Sequence, residues 1–394
     1  MKILVLGAGK MGYGLLTDIS SQSDVSEVVA ADADLQQAKS LAERIGSDKI
    51  EETRKVDVTN YPETIKLMRE GFDVVASALP SQFCIAAAKA AIDAGVGYTD
   101  VASPFNTIFN LQAAAKAADV TVIPHIGLDI GIDRVLCGIG ARKLDRVEQF
   151  HVWCGGFPQK GTRGYNNPLK YKISWHWPTA ALSNLGVSRV LKDGEIVEIP
   201  KLSDPEEITF SEPLGSCETY TTGSCLDVIE HLGLKDVKDA WCKTVRWKGH
   251  CEIWRKLIDL NLLDDDPLLV KGVAISPREV FLALGEKTLQ YDPEEADVVC
   301  QRVKVSGLKD SVSVSFIYEF LDFYDSEKNL SAMARTTAFP CSIVAQMIAK
   351  DEIKEKGVIH PAKIGWSKDL SEKFLQELRR RGIDIVEQFI PHFD

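Results

Sequence analysis

A glycine-punctuated turn near the start of the chain has the residue types and spacing to hold a phosphate. Gly7, Gly9 and Gly12 have G-x-G-x-x-G spacing after a strand-like run, and a helical pattern follows. In such a turn the first glycine permits a tight bend, the second lets the backbone approach a pyrophosphate, and the third lets helix and strand pack closely. The free N–H groups at the helix N-terminus favour the anion. We therefore expect Gly7, Gly9, Lys10, Met11 and Gly12 to contact a dinucleotide.

A second strand pattern ends at Asp32, which lies 20 residues after Gly12. A carboxylate at this place accepts hydrogen bonds from the adenosine ribose hydroxyls. Its charge disfavours a 2′-phosphate, and no arginine follows, because Ala33 and Asp34 come next. The sequence thus favours NAD over NADP. An alternative interpretation is that Asp32 caps the following helix, and both roles are compatible.

Strand and helix patterns alternate from residue 2 to residue 127, which predicts a doubly wound parallel sheet of the Rossmann type. Asp57 and Val58 follow the third predicted strand, where we expect the adenine. The fourth predicted strand ends in a segment at the carboxyl edge, where such sheets bind ligands. We expect four residues of that segment to bind the cofactor: Ser77, Ala78, Leu79 and Pro80.

The segment after Gly127 places two carboxylates, Asp129 and Asp133, just beyond the last predicted strand of this sheet. Carboxylates at a strand end are candidates for chemistry on a bound molecule. Arg335 lies within a run that is apolar almost all round and is therefore expected to be buried. Its guanidinium either pairs with a carboxylate of the protein or holds a carboxylate of the substrate.

The middle of the chain has a different pattern from the first third. The β-like segments 147–158, 171–177, 188–199, 243–249, 296–307 and 311–325 predict an α+β substrate lobe with a mostly antiparallel sheet. The helical pattern that returns near residue 330 should pack on the first lobe. We expect residues 1–127 and about 330–394 to form the dinucleotide-binding domain, and about 128–329 to form a substrate and oligomerisation domain.

Composition and charge exclude several classes of function. A chain of 394 residues exceeds the size of one hydrophobic core. The net charge of −11 disfavours a nucleic-acid partner, since the short basic run Arg379–Arg381 reads as the solvated end of a helix. Apolar runs are shorter than the roughly 20 residues of a bilayer span, and no signal-peptide pattern opens the chain. We expect no membrane partner and a cytoplasmic location.

The nine cysteines are scattered and contain no C-x-x-C pair. This distribution is typical of free thiols in a reducing compartment, not of a disulfide framework or a zinc site. His250 and Cys251 are adjacent, but no second pair of ligands accompanies them. We therefore expect no metal.

Several longer motifs make the sequence similar to a known family. The chain resembles the saccharopine dehydrogenase family, and within it the lysine 6-dehydrogenases. The motifs are GAGKMG (7–12), HIGLDIGID (125–133), WCGGFP (153–158), NPLKYKISW (167–175), KTVRWKGHCE (243–252), ISPRE (275–279) and SAMARTTAFPCSIVAQMI (331–348). The resemblance implies a Rossmann lobe completed by C-terminal residues, an inserted substrate lobe, a homo-oligomer (dimer or tetramer), and hydride transfer between a nicotinamide and a carbon that bears an amine.

The resemblance also implies site residues. Asp129 matches the aspartate of a family G-L-D-P-G-I-D motif, with Ile130 in place of the proline, and it is the expected base for the substrate amine. Cys154 matches the cysteine of a C-G-G-L-P motif; it either takes part in the site or is a small buried thiol. The other substrate-binding candidates in the matching motifs are Tyr171, His250, Arg335 and Thr336.

Three functions remain open at this stage. Saccharopine reductases resemble this chain but carry an arginine that binds one of three substrate carboxylates, and residues 218–225, the corresponding stretch here, have none. An unpaired buried carboxylate costs several kcal/mol. The sequence therefore favours NAD-dependent oxidation of lysine at its ε-carbon. The alternatives are saccharopine or another opine-type or polyamine substrate, and a dinucleotide sensor without turnover.

Overall fold

The computed structural model describes residues 1–293 and 295–392, which form two compact units. The first unit comprises Met1–Lys143 and Ala334–Ile385, and the second comprises Leu144–Met333 and Val386–Asp394. Both borders differ from those expected. Residues 132–142 form a helix that packs within the first unit, and residues 386–392 form a strand that pairs within the second.

The first unit is built on a parallel sheet of seven strands. Its strands are β1 (Lys2–Leu6), β2 (Glu27–Asp32), β3 (Ile50–Lys55), β4 (Val74–Ser77), β5 (Gly97–Asp100), β6 (Thr121–Ile123) and β17 (Gly357–Val358). Their order is β17-β6-β5-β4-β1-β2-β3. The side chains of β1 and β4 are almost wholly buried, as expected for central strands covered on both faces. The predicted Rossmann architecture is confirmed.

Helices cover both faces of this sheet. They are α1 (Lys10–Ser21), α2 (Leu35–Ile45), α3 (Tyr61–Met68), α4 (Ser81–Ala94), α5 (Phe105–Ile108), α6 (Gln112–Ala117), α7 (Ile132–Arg142), α12 (Ala332–Ala349), α13 (Pro361–Trp366) and α14 (Lys368–Arg380). From Ala334 onward, α12 belongs to the first unit and packs on α1. A Cβ atom on Gly14 would lie 2.8 Å from the Ala338 Cβ, and Ser342 donates to Asp18 at 2.6 Å.

The second unit contains a mixed, mostly antiparallel sheet of nine strands, as predicted. They are β7 (Arg146–Pro158), β8 (Val187–Lys192), β9 (Glu195–Pro200), β10 (Glu206–Thr209), β11 (Ser216–Gly223), β12 (Asp239–Arg246), β15 (Asp297–Lys309), β16 (Val312–Phe323) and β18 (Val386–His392). The main path runs β10-β11-β12-β7-β15-β16-β18, and the β8–β9 hairpin joins β12. Only the β12–β7 pair is parallel among the described strands of this sheet.

Four helices and a small hairpin complete the second unit. They are α8 (Trp177–Leu182), α9 (Leu226–Leu232), α10 (His250–Asp259), α11 (Pro277–Thr288) and the pair β13 (Leu268–Val270) and β14 (Val273–Ile275). Residues 171–176 are not a strand, so that prediction was wrong. Tyr171, Ile173 and Trp177 pack into an apolar cluster with Trp254, and this packing overrides their β-like composition.

One further prediction about polar residues was wrong and a second was right only in part, because Arg379 and Arg380 are exposed at the end of α14 as predicted but Arg381 is not. Asp34, not Asp32, caps α2, because its carboxylate accepts the N–H groups of Gln36 and Gln37. Arg381 is not solvated. Its Nε donates to both carboxylate oxygens of the buried Asp18, at 2.8 and 2.9 Å, and this ion pair ties the end of α14 to α1.

All nine cysteines are buried thiols, and none forms a disulfide. Across the part of the chain that the structure describes, no helix has both the length and the apolar character of a membrane span.

Candidate functional site

The glycine turn lies between β1 and α1 in the first unit, and its geometry separates the roles of the three glycines. Gly7 has φ +95°, and a Cβ there would lie 2.8 Å from the Ala78 carbonyl oxygen. A Cβ on Gly12 would lie 1.9 Å from the Gly7 carbonyl oxygen. A Cβ on Gly9, by contrast, would meet no atom within 4 Å. The fold itself requires Gly7 and Gly12, whereas the space above Gly9 is open.

Strands β1 and β4 are neighbours, although three helices and two strands separate them in the chain. Their carboxyl ends therefore form the point at which the strand order reverses, which is where doubly wound sheets bind ligands. Ser77 ends β4 and is buried, and the Ala78 N–H donates to the Leu6 carbonyl at 2.7 Å. Leu79 is half-buried and Pro80 is exposed beside this turn.

Asp32 ends β2 beside the same turn. Its carboxylate accepts the Ala8 N–H at 2.7 Å and the Asp34 N–H at 2.9 Å. These two amides hold the carboxylate in place next to the glycines. Lys55, the residue opposite Asp32 in β3, is the nearest basic position in the strand register. The carboxylate of Asp32 is thus oriented to accept hydrogen bonds from ribose hydroxyls. Lys55, a basic residue that could pair with a 2′-phosphate, lies on the neighbouring strand.

The remaining cofactor candidates lie at the same edge. Lys10 is exposed as the first residue of α1, and Met11 is half-buried. Asp57 follows β3 and accepts both the N–H and the hydroxyl of Thr59, which lowers its pKa. Val58 is buried beside it. Val58 therefore offers an apolar surface, and Asp57 organises the turn.

Asp100, at the end of β5, organises the neighbouring part of the edge. One carboxylate oxygen accepts the N–H groups of Ala102 at 2.9 Å, Ser103 at 2.7 Å and His125 at 3.1 Å. The other accepts the Ser103 hydroxyl. Asp129 lies on the exposed turn that follows β6, and the Asp129–Ile130 peptide is cis. This edge therefore carries several polar groups on a rigid backbone.

In the second unit, Tyr171 and His250 lie together within an aromatic cluster. Their ring centroids are 6.2 Å apart, and Tyr220 and Trp254 also pack against His250. Burial lowers the pKa of His250 to about 3, and its Nδ1 contacts the Leu169 carbonyl at 2.8 Å. His250 is therefore neutral at physiological pH. Burial raises the pKa of Tyr171, whose hydroxyl is buried without a hydrogen-bond partner.

Arg246, which sequence reasoning missed, is the charged group of this cluster. Its guanidinium lies 5.5 Å from the centre of the Tyr171 ring, and one of its terminal nitrogens donates to the Val245 carbonyl at 2.8 Å. Its Nε is buried without a partner, because the carboxylate of Glu218, opposite it in β11, accepts the N–H groups of Gly249 and Cys251 instead. An arginine with a buried, unused N–H beside buried hydroxyls suits an incoming carboxylate.

The charge of Arg246 reaches several other side chains of the cluster. It opposes the rise that burial causes in the pKa of Tyr171 and Tyr291, and it adds to the fall that burial causes in the pKa of His250. The Tyr291 hydroxyl and the Trp254 Nε1 are also buried without partners. A signal in the sequence was available: Arg246 lies between the apolar residues Val245 and Trp247 of a strand pattern.

Cys154 lies on β7 of the second unit, in register with Thr244 of β12 and Gln301 of β15. It is buried, and the Gln301 side-chain amide donates to its Sγ at 3.6 Å. The neighbouring Gly155 and Gly156 have no room for a side chain, because added Cβ atoms would lie 2.3 Å from the Val245 carbonyl and 2.2 Å from the Met333 side chain. This packing fits the interpretation of a small buried thiol.

Arg335 and Thr336 lie on α12 within the first unit, whereas Tyr171 and His250 belong to the second. Thr336 is fully buried. The Arg335 guanidinium donates to the Arg381 carbonyl at 3.1 Å and lies 5.5 Å from the centre of the Phe339 ring. These contacts give Arg335 a structural role in joining α12 to the end of α14.

Comparison with known proteins identifies the family. A model described as the saccharopine dehydrogenase NADP binding domain matches residues 3–123, and one described as the saccharopine dehydrogenase C-terminal domain matches residues 127–383. These two matches account for nearly the whole chain.

Two curated relatives show the range of lengths in this group. Saccharopine dehydrogenase [NADP(+), L-glutamate-forming] of Saccharomyces cerevisiae is 22% identical, over 98% of this chain and 99% of its own length. Mitochondrial alpha-aminoadipic semialdehyde synthase of Rattus norvegicus is 23% identical, over 97% of this chain. The chain spans about half the length of this second relative, 47%.

A solved structure shows the same fold. The apo histidine-tagged saccharopine dehydrogenase (L-Glu forming) from Saccharomyces cerevisiae superposes with a TM-score of 0.85 at 21% identity, and the match covers 99% of both chains. Homologues in this family are oxidoreductases that act on CH–NH donors. The chain belongs to the saccharopine dehydrogenase family.

Proposed function

We propose that this chain oxidises the CH–NH bond of saccharopine with a nicotinamide dinucleotide and releases glutamate. Two kinds of support meet here. The yeast relative that is named for this reaction matches over nearly the full length of both chains. The second unit contains an arginine, Arg246, that is ready for a carboxylate. The finding that the homologues are glutamate-forming enzymes moves our preference from lysine, which the sequence alone favoured, to saccharopine.

Arg246 is the observation that carries the proposal. A buried donor without a partner costs about 1–3 kcal/mol, and a carboxylate that accepts from it removes this penalty. Tyr171 and Tyr291 hold further unused hydroxyl groups nearby, which can donate to the second carboxylate oxygen. An amino-acid substrate supplies such a carboxylate, whereas a neutral amine does not.

The reaction requires a neutral amine, because an ammonium has no lone pair with which to expel a hydride. A base takes one proton from the secondary ammonium of saccharopine. The nitrogen lone pair then forms a C=N bond while the ε-carbon of the lysine moiety gives its hydride to the oxidised nicotinamide. Water adds to the iminium carbon, and breakage of the C–N bond yields glutamate and the semialdehyde. Asp129 and Cys154 remain the proposed catalytic residues from the family motifs.

We further propose that the cofactor is NAD. The matched domain is described as NADP binding, and the yeast relative is named for NADP(+), which favours NADP. Asp32 supports the opposite choice in this chain, since its carboxylate would repel a 2′-phosphate and is held where ribose hydroxyls bind. Lys55 is the residue through which a phosphate would have to bind. The ratio of kcat/KM for NAD to that for NADP measures the preference.

Lysine remains the second candidate, and one observation favours it. Residues 218–225 contain no arginine, and Arg246 is one cation where saccharopine has three carboxylates. Oxidation of lysine at its ε-carbon would follow the same hydride step and would release ammonia in place of glutamate.

One experiment separates these reactions. The purified protein is incubated with saccharopine or lysine, each with NAD or NADP, and reduced nicotinamide, glutamate and ammonia are measured. Saccharopine should produce glutamate in equal amount to the reduced cofactor and no ammonia. Ammonia from lysine, with no reaction of saccharopine, would replace the first proposal with the second. Dinucleotide binding without turnover of either substrate would indicate a sensor.

A further inference from the structure

His125 is the first residue of the HIGLDIGID motif, but neither the family resemblance nor the proposed function gives it a role. It follows β6 by two residues, at the carboxyl edge of the parallel sheet. The strands β4, β5 and β6 form the half of a Rossmann sheet that holds the second nucleotide, which in a nicotinamide dinucleotide is the one that reacts. His125 is half-buried, whereas its neighbours Pro124 and Ile126 are buried.

The backbone around His125 is held firmly. His125 has φ +50°, a left-handed conformation that is uncommon for residues other than glycine. Its N–H donates to the Asp100 carboxylate at 3.1 Å, and Asp100 also accepts the N–H and the hydroxyl of Ser103. Asp100 thereby fixes both His125 and the residue that orients its ring.

The ring itself has one committed nitrogen and one free nitrogen. Nδ1 lies 2.8 Å from the Ser103 carbonyl oxygen, which accepts only, so Nδ1 carries the proton and donates. In the neutral ring Nε2 is then the atom with the lone pair, and it makes no hydrogen bond in the described residues. Phe105 packs edge-on against the ring at 5.5 Å between centroids. This arrangement is that of an oriented base: one nitrogen is anchored and the other is available.

Several charged groups act on His125. Burial lowers its pKa, and the Asp100 carboxylate opposes that effect. From α7, Arg134 lowers the pKa further and Asp133 raises it. On the other side, Phe105 separates His125 from His360. The result is an imidazole that is neutral at pH 7 and therefore able to accept a proton.

We propose that His125, in place of Asp129, is the acid–base residue of the reaction, an inference that rests on the proposed function. Nε2 takes the proton from the secondary ammonium of the substrate and leaves the lone pair that forms the C=N bond as hydride departs to the nicotinamide. After water has added to the iminium carbon and lost its own proton to solvent, Nε2 returns a proton to the nitrogen. That nitrogen then leaves as the amine of glutamate, while the hydroxyl oxygen on the carbon forms the C=O bond of the semialdehyde and loses its proton to solvent.

The test uses the full chain and the substrate that the unchanged protein turns over. In His125→Asn, asparagine tolerates the left-handed conformation, so the fold should persist. We expect kcat to fall by about 10²- to 10³-fold near pH 7, as for loss of a general base. The KM for the dinucleotide should stay the same, and added imidazole should restore part of the rate. His176→Asn, at an exposed helix cap of the second unit, is the matched control and should act as wild type.

The pH profile of kcat/KM distinguishes His125 from Asp129. His125→Asn should lose the acidic limb of the profile, whereas Asp129→Asn should keep that limb even where its rate is lower. A His125→Asn rate within threefold of wild type would overturn the proposal. So would a loss that imidazole does not restore and that leaves the limb in place, because a structural role predicts that result. Absence of turnover by the unchanged protein with any substrate would instead overturn the proposed function.

Discussion

The cofactor edge of the first unit and the aromatic cluster around Arg246 in the second unit differ in how their polar groups are paired. In the first unit, the carboxylate oxygens of Asp32 and Asp100 accept backbone N–H groups of nearby loops. In the second unit, Arg246, Tyr171 and Tyr291 keep buried polar atoms without any partner. The two carboxylates of the cofactor edge already have hydrogen-bond partners, whereas the aromatic cluster around Arg246 contains several groups that have none.

This difference indicates how each unit would bind its ligand. A carboxylate held by backbone amides needs no rearrangement when a ribose arrives, so the cofactor edge is preorganised. Buried donors without partners destabilise the free protein by about 1–3 kcal/mol each, and a substrate carboxylate that accepts from them would recover this energy. Substrate binding should therefore stabilise the second unit more than cofactor binding stabilises the first. The following variants test the contrast, from the largest expected effect to the smallest.

Gly12 and Gly9 test whether the cofactor edge is preformed. Gly12→Ala should destabilise the first unit by about 3 kcal/mol, since its Cβ would overlap the Gly7 carbonyl oxygen, a backbone atom. Gly9→Ala should fold as wild type, because a Cβ there meets nothing. It should nevertheless bind dinucleotide about tenfold more weakly, or about 1.4 kcal/mol. Thermal melts and cofactor fluorescence titrations measure the two effects. Unchanged cofactor binding by Gly9→Ala would place the pyrophosphate elsewhere.

Arg246→Gln tests the incomplete part of the second unit. Loss of a charged hydrogen bond of about 1.5–3 kcal/mol should lower kcat/KM for the amino-acid substrate by roughly 10- to 100-fold. The KM for the dinucleotide should not change. Steady-state kinetics with each substrate varied in turn give both values. Arg189→Gln, at an exposed position on β8 of the same unit, is the control. A rise in the KM of the cofactor alone would reverse the assignment.

Asp32→Asn tests the charge at the cofactor edge while keeping a side chain of the same shape. The ratio of kcat/KM for NAD to that for NADP should fall about tenfold, because the neutral amide no longer repels a 2′-phosphate. A tenfold change in the ratio corresponds to about 1.4 kcal/mol. Asp34→Asn should leave the ratio unchanged, because asparagine caps a helix as well as aspartate does. An unchanged ratio in Asp32→Asn would mean that other residues select the cofactor.

Substitution of His250, in the aromatic cluster around Arg246, should have the smallest effect, a change in how the stability depends on pH. Its folded pKa of about 3 lies below the ordinary value of 6.5, so the unfolded chain binds a proton first as pH falls. The stability contributed by neutral His250 is therefore present above pH 6.5. It is lost by about 1.4 kcal/mol per pH unit below that value. Denaturant unfolding from pH 7 to pH 4 should show a shallower loss for His250→Phe, while His176→Asn should follow wild type. Equal slopes for His250→Phe and wild type would contradict the pKa.

The first unit was predictable from sequence because its determinants are local. The tight turn, the approach of the backbone to a pyrophosphate and the close packing of helix on strand each require a glycine at a set spacing. Gly7, Gly9 and Gly12 could therefore be assigned roles without knowledge of the fold. Asp32 was located by the same spacing. Its interpretation as a helix cap failed because Asp34, two residues later, is the residue whose carboxylate faces the free N–H groups of α2.

The second unit was less predictable because its groups come from distant parts of the chain. Tyr171 lies in a loop, Arg246 at the end of β12 and Tyr291 after α11. Only packing brings them together. No short motif marks Arg246 as unpaired, since that property depends on the carboxylate of Glu218, its cross-strand neighbour, which accepts the N–H groups of Gly249 and Cys251 instead. His125 was overlooked for a similar reason: its anchor, the Ser103 carbonyl, is a backbone atom that carries no sequence signal.

The most direct test of the account follows the hydride. Saccharopine with both hydrogens of the ε-carbon of its lysine moiety replaced by deuterium is mixed with the protein and oxidised dinucleotide, and the reduced nicotinamide and glutamate are analysed by mass spectrometry. The account predicts one deuterium on each reduced nicotinamide and an equal amount of glutamate. Reduced nicotinamide without deuterium, or no glutamate beside it, would contradict oxidation of the CH–NH bond.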